Sequence, residues 1–268
     1  MNASREYLEA IQRELAVDEE SAPDPRETVI RLENVSLGFS GVTVLDGVSL
    51  DVRRGETLMI AGESGSGKST ILKLILRLLR PDAGRITVFG EDVAHLTFAE
   101  ALDLRRQIGM VFQNAALFDS LTIYENVAYP LRENTELDEP EIERTVRERL
   151  DFVDLDPDKV MKQLPSQLSG GMRKRVGIAR AIATSPRVIL YDEPTAGLDP
   201  LTVGTFNALM RKLQRELHVT SVLVTHDIRA GFRVANRVNL LRDGSIVFDG
   251  SPEQMVAEQD SYITAFLS

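Results

Sequence analysis

Apolar positions along the chain follow two rhythms. TVIRLENVSLGF and VTVLDGVSLDV, over residues 28 to 52, alternate apolar with polar positions around Gly and Asp turns. That period of two predicts half-exposed antiparallel strands. From Glu56 the pattern changes to short apolar runs, TLMIAG, IGMVFQ, RVILYDE and TSVLVTHD, alternating with helical stretches. Runs so short and so apolar predict parallel strands covered on both faces, and hence an α/β core. Between Gln113 and Arg175 the charged stretch ELDEPEIERTVRERLDFVDL and the turn-rich QLPSQLSGG break the alternation, which predicts an inserted helical lobe over about 114–175. ILKLILRLLR predicts a buried helix with Lys73, Arg77 and Arg80 along one side, and VNLLRDGSIVFDGSPEQMVAE a hairpin followed by a short helix. Leu8, Ile11 and Leu15 stand at helical spacing before DEESAPDP breaks the pattern. The expected organisation is an arm and linker over 1–26, one unit over 27–258, and a tail over 259–268.

Composition narrows this picture. In 268 residues, 43% hydrophobic, there is material for a core that needs no covalent staples. With no cysteine, disulfides, thiolate metal sites and thiol nucleophiles are excluded. The excess of 41 Asp and Glu over 31 Lys and Arg gives a net charge of −10, the wrong sign for a protein that neutralises the phosphates of a duplex. No nucleic-acid partner is expected. No basic, apolar start marks a secretory signal, and no run approaches the roughly 18 apolar residues of a spanning helix. Work at a membrane would need another polypeptide to hold the chain there.

The chemistry begins at GESGSGKST, where Gly62, Gly67, Lys68 and Ser69 keep the spacing G-x-x-x-x-G-K-[ST] between a buried strand and a helix. Bare backbone there can turn successive N–H groups toward phosphate oxygens, helped by the helix N-terminus. Lys68 is expected on the β and γ phosphates and Ser69 on Mg²⁺. VILYDE ends a strand in Asp192 and Glu193, one carboxylate for the metal and one to act as general base on a water. VLVTHD brings His226 to the same sheet edge, where it can orient that water. QLSGGMRKRV repeats the idea of a phosphate site with Ser169, Gly170 and Gly171 at a helix start. One nucleotide does not need two such sites from one chain, so two copies facing head to tail are the simplest resolution.

These residues resemble the ATP-binding-cassette (ABC) ATPases from about Thr28 to Glu258. GESGSGKS matches the Walker A loop, VFQ ending in Gln113 the Q-loop, LSGGM the signature, VILYDE the Walker B strand, AGLD the D-loop and His226 the switch histidine. The resemblance implies a P-loop NTPase fold of the ABC type, with a parallel core sheet, an antiparallel β subdomain and an α-helical subdomain, working as a homodimer on ATP and Mg²⁺. It implies nucleotide contacts at Phe39, across Gly62, Glu63, Ser64, Gly65, Ser66, Gly67, Lys68, Ser69 and Thr70, and, from the other chain, at Ser169, Gly170, Gly171 and Asp199. Lys68, Gln113, Glu193 and His226 would be catalytic, and Ser69, Gln113 and Asp192 would serve the metal. Two departures are Met172 where the family usually has glutamine and Ala196 where its D-loop commonly has serine. LSGGM, TAGLDP and FQNAALFDSLTIYENVAYPLRE are similar to the ATPases of the maintenance-of-lipid-asymmetry and mammalian-cell-entry (MCE) systems. That similarity implies a permease and an MCE-type lipid-binding protein as partners, lipid as cargo, and a peripheral place on the cytoplasmic face of a bacterial inner membrane. An importer of amino acids or other polar solutes, and a soluble ABC ATPase, are the alternatives.

Overall fold

The computed structural model describes residues 27–267. The helix expected over 4–17 and the rest of the arm lie outside them. β1 (Thr28–Phe39) and β2 (Val42–Arg53) form an antiparallel hairpin in which Phe39 pairs with Val42. β4 (Ala83–Val88) and the short β5 (Glu91–Asp92) extend that sheet in the order β2-β1-β4-β5. The second sheet carries β3 (Thr57–Ala61), β6 (Ile108–Val111), β7 (Val188–Asp192), β8 (Thr220–Thr225), β9 (Arg237–Arg242) and β10 (Ser245–Gly250). Its order is β10-β9-β3-β8-β7-β6, parallel except for the β9-β10 hairpin.

Strand alternation sorts the core. Leu58, Ile60, Val188, Leu190, Val222 and Val224 face the antiparallel sheet and helix α1 (Lys68–Ile75), in one apolar cluster with Ile30, Leu32 and Leu72. The alternate residues Ile189, Tyr191 and Leu223 face a helical layer on the other side. Because both faces are covered, β3 and β8 are buried along their whole length.

The helical layer contains α3 (Ile123–Asn134), α4 (Glu139–Phe152), α5 (Pro157–Val160), α6 (Gly170–Ala181) and α7 (Pro200–Leu217). The helices α3 and α4 start on capping boxes, Thr122 with Glu125 and Asp138 with Glu141, which satisfy orphan N–H groups reciprocally. α2 (Phe98–Arg106) precedes β6, and α8 (Ile228–Phe232), α9 (Pro252–Ala257) and α10 (Ser261–Leu267) finish the molecule.

One expectation is corrected. The helix anticipated through ILKLILRLLR ends at Ile75, because Arg77 turns left-handed (φ 51°) and the Arg77 and Leu78 N–H groups close back onto the Leu74 and Lys73 carbonyls. Among the described residues no helix is long and apolar enough to cross a membrane.

Candidate functional site

The buried strand β3 delivers Gly62 to the carboxyl end of the parallel sheet, the edge where open α/β sheets bind ligands. Here glycine is a steric requirement. A β-carbon on Gly62 would lie 2.4 Å from the Leu241 carbonyl oxygen, and one on Gly67, whose φ is 104°, would lie 2.8 Å from the Leu45 side chain. Lys68 opens α1 and folds back over the loop, Nζ donating to the Gly62 and Glu63 carbonyls at 2.8 Å each. Only 6% of it is exposed. Burial pulls its pKa down, and the Glu193 and Asp192 carboxylates oppose that shift. A phosphate in the loop would give this ammonium a charged acceptor, a stronger hydrogen bond than the carbonyls supply. Thr70 follows in the first turn of α1, partly buried.

Ser69 Oγ donates to Asp192 Oδ1 at 2.8 Å across 123 residues of sequence. A hydroxyl and a carboxylate are hard oxygen donors, suited to Mg²⁺, which takes few protein ligands and completes its shell with phosphate and water. Among the described residues no cluster of three or more His, Cys, Asp or Glu could hold a metal without such help. Gln113, two residues beyond the Val111-Tyr191 pair, reaches the same sheet edge and is exposed.

Glu193 follows β7 in a left-handed conformation (φ 47°), its N–H donating to the Val224 carbonyl at 3.0 Å. Its Oε2 lies 2.9 Å from His226 Nδ1 and accepts from the His226 backbone N–H at 3.3 Å. Two residues expected to act separately are thus joined, which leaves Nε2 as the imidazole's second hydrogen-bonding atom.

A cleft of about 460 Å³ opens beside the glycine loop, lined by Glu63 to Ser66, by Val42 to Val44 of the hairpin and by Leu241 to Gly244. Phe39 stands at the hairpin tip opposite Val42, 47% exposed, outside the cleft lining. Tyr262, which no motif marks, also lines the cleft: its hydroxyl donates to Glu63 Oε1 at 3.4 Å, and the Arg242 guanidinium lies over its ring at 4.0 Å. Spacing around Ile263 could have marked a docked helix, but not the loop it docks beside.

Ser169 caps α6, its Oγ accepting from the Met172 N–H at 3.2 Å, so Gly170 and Gly171 form the helix's first turn. Asp199 caps α7 and accepts from the Leu201 and Thr202 N–H groups and the Thr202 hydroxyl. The Thr202 hydroxyl bond leads in holding its carboxyl below the usual range. Ser169 to Gly171 and Gly197 to Asp199 line a second hollow of about 360 Å³, which shares no residue with the first cleft.

Residues 45–196 match the family model described as ABC transporter. The chain is 36% identical over 241 residues to the intermembrane phospholipid transport system ATP-binding protein MlaF of Haemophilus influenzae, covering 90% of each. It is 40% identical over 252 residues to the methionine import ATP-binding protein MetN of Rhizobium johnstonii, covering 94% of this chain and 69% of that one. A solved dimeric ATP-binding cassette in a post-hydrolysis state, bound to ADP and Pi, superposes with a TM-score of 0.75 at 35% identity, covering 83% of this chain and 98% of that one. With the loop, the carboxylate pair and the signature helix in place, the chain belongs to the ABC transporter family, as an ATP-binding and ATP-hydrolysing subunit.

Proposed function

We propose that this ATPase powers the movement of phospholipid or another lipid between bacterial membranes, acting through a separate permease and an MCE-type lipid-binding protein at the cytoplasmic face of the inner membrane. The observation that carries the cargo is the match to the phospholipid transport protein, which covers 90% of both chains. The methionine importer, at 40% identity, favours the second reading, a polar-solute importer, but this chain covers only 69% of it. The wording of LSGGM, TAGLDP and the segment after Gln113 supports the lipid system.

On this reading residues 27–258 are the ATPase unit, 114–175 its helical subdomain and 259–268 a tail. Two copies pair head to tail, which accounts for a glycine-loop cleft and a signature hollow that share no residue. Phe39 stacks on adenine, and residues Gly62 to Thr70 cradle the phosphates. Lys68 and His226 stabilise charge on the γ phosphate, Glu193 takes the proton of the attacking water, and Ser169 to Gly171 with Asp199 close the opposite chain's site. Ser69, Asp192 and Gln113 would hold Mg²⁺, which would supply charge neutralisation to the triphosphate. Permease docking fits a groove of about 340 Å³ beside the Q-loop, where Phe112, Phe118 and Tyr129 are exposed next to Arg105 and Arg180.

The test is purification of the tagged protein from its own detergent-solubilised membranes, with mass spectrometry of proteins and lipids. A permease and an MCE-type protein arriving with bound phospholipid is the expected result. A permease arriving with a soluble solute-binding protein, and no lipid, would transfer the cargo to the second reading.

A further inference from the structure

The signature helix carries a charge that neither the ATP chemistry nor the permease groove uses. Lys174 is buried in α6, and its Nζ donates to the Pro194 and Ala196 carbonyls at 2.6 Å each. Burial alone lowers its pKa, with no carboxylate opposing it. An ammonium out of water is costly unless it is hydrogen-bonded, so these carbonyls fix the side chain where it lies. Its face of the helix, with Gly171, Gly177 and Ile178 at three and four residues' distance, is small and apolar.

The two carbonyls belong to the turn behind Glu193. Pro194 is the next residue, and the Ala196 N–H closes onto the Glu193 carbonyl at 3.2 Å. The helix start also lies close to the first turn of α7, which follows that loop: a β-carbon on Gly171 would lie 2.9 Å from the Thr202 methyl, and Thr202 is bonded to Asp199. Lys174 and Gly171 therefore hold the start of α6 close against residues 194–202.

In a head-to-tail dimer the signature of one chain meets the ATP held by the other, whereas Glu193 serves the ATP on its own chain. A rigid link between the two within one chain joins two different nucleotides. We infer that Lys174 is a positioning residue that ties the signature helix to the loop behind Glu193, so that engagement of one ATP sets the base at the other. This inference rests on the dimer proposed above. Since both acceptors are neutral carbonyls, the link depends on N–H donors rather than on charge, and glutamine can replace lysine where methionine cannot.

The experiment compares ATP hydrolysis against ATP concentration for the full chain in its permease complex, with binding of a fluorescent ATP analogue measured alongside. The wild type should be sigmoidal. Lys174→Met should become hyperbolic, with a Hill coefficient of about 1 and kcat lowered about tenfold at unchanged analogue affinity. Lys174→Gln should recover the sigmoid and stay within about twofold of wild-type kcat. If Lys174→Met does not melt cooperatively, Lys174→Ala, whose vacated space admits water to both carbonyls, is held to the same expectation. A hyperbolic wild type, a folded Lys174→Met or Lys174→Ala that stays sigmoidal, or a folded Lys174→Gln that behaves like Lys174→Met overturns the inference. Sedimentation of Glu193→Gln with ATP keeps the two readings apart. A monomer there removes the dimer itself, whereas a dimer with a sigmoidal Lys174→Met removes Lys174 alone.

Discussion

At the scale of single residues, Glu193 is one of the positions where a non-glycine residue is held in the left-handed region. A left-handed non-glycine residue costs on the order of 1 kcal/mol and persists where its surroundings over-determine it, as the Val224 carbonyl and both His226 contacts do here. The strain aims a carboxylate beside the Ser69-Asp192 pair at the same sheet edge. Glu193→Gln keeps the shape and the oxygen that faces His226 but cannot take a proton. Steady-state hydrolysis is expected to fall at least about a hundredfold, the usual contribution of a positioned general base, while affinity for a fluorescent ATP analogue stays within about threefold. Phosphate release and analogue titration on the same preparation check this. Near-normal turnover would remove Glu193 from the role of base.

Among the elements, α3 shows how local chemistry shapes the groove proposed for the permease. Asn126, fully buried, accepts from the Phe118 N–H and donates to the Phe118, Leu121 and Thr122 carbonyls, pinning the turn that presents Phe118 to the groove. Asn126→Leu is expected to cost about 2–4 kcal/mol, since it takes their partner from the Phe118 N–H and the Leu121 carbonyl, whereas Thr122→Val, which removes one cap, costs about 1 kcal/mol. Equilibrium urea unfolding measures both, and equal losses would reduce Asn126 to an ordinary cap. The same elements show what a sequence carries. The apolar runs of β3, β7 and β8 and the residues that end them were readable, because burial on both faces and polar residues grouped at a strand end each leave a dense local pattern. The end of α1 was not, since apolar content continues past Ile75 and only the backbone of Arg77 marks the stop. Lys174 and Tyr262 were hidden for another reason: their partners lie 20 and 199 residues away and are chosen by packing.

For the molecule as a whole, the question is whether the glycine-loop cleft and the signature hollow serve the same nucleotide through two copies. Leu201, just past Asp199 beside the second hollow, is 86% exposed, an apolar side chain that a second chain would cover. A head-to-tail pair builds each ATP site from the glycine loop of one chain and the signature of the other, so defects in the two halves should complement across chains. Take Lys68→Ala and Ser169→Arg, each in a Glu193→Gln background so that hydrolysis cannot reopen the pair. Neither chain alone can complete a site: the first lacks the phosphate-binding lysine, and the second blocks every signature hollow with a bulky cation. In a mixed pair one site inherits both defects, while the other joins an intact glycine loop to an intact signature. Sedimentation with ATP should therefore show monomers for each variant alone and dimers only after mixing, in up to nearly all of the chains at equimolar mixing if one sound site seals the pair. Dimers of either variant by itself would mean that the two halves do not meet across the chains.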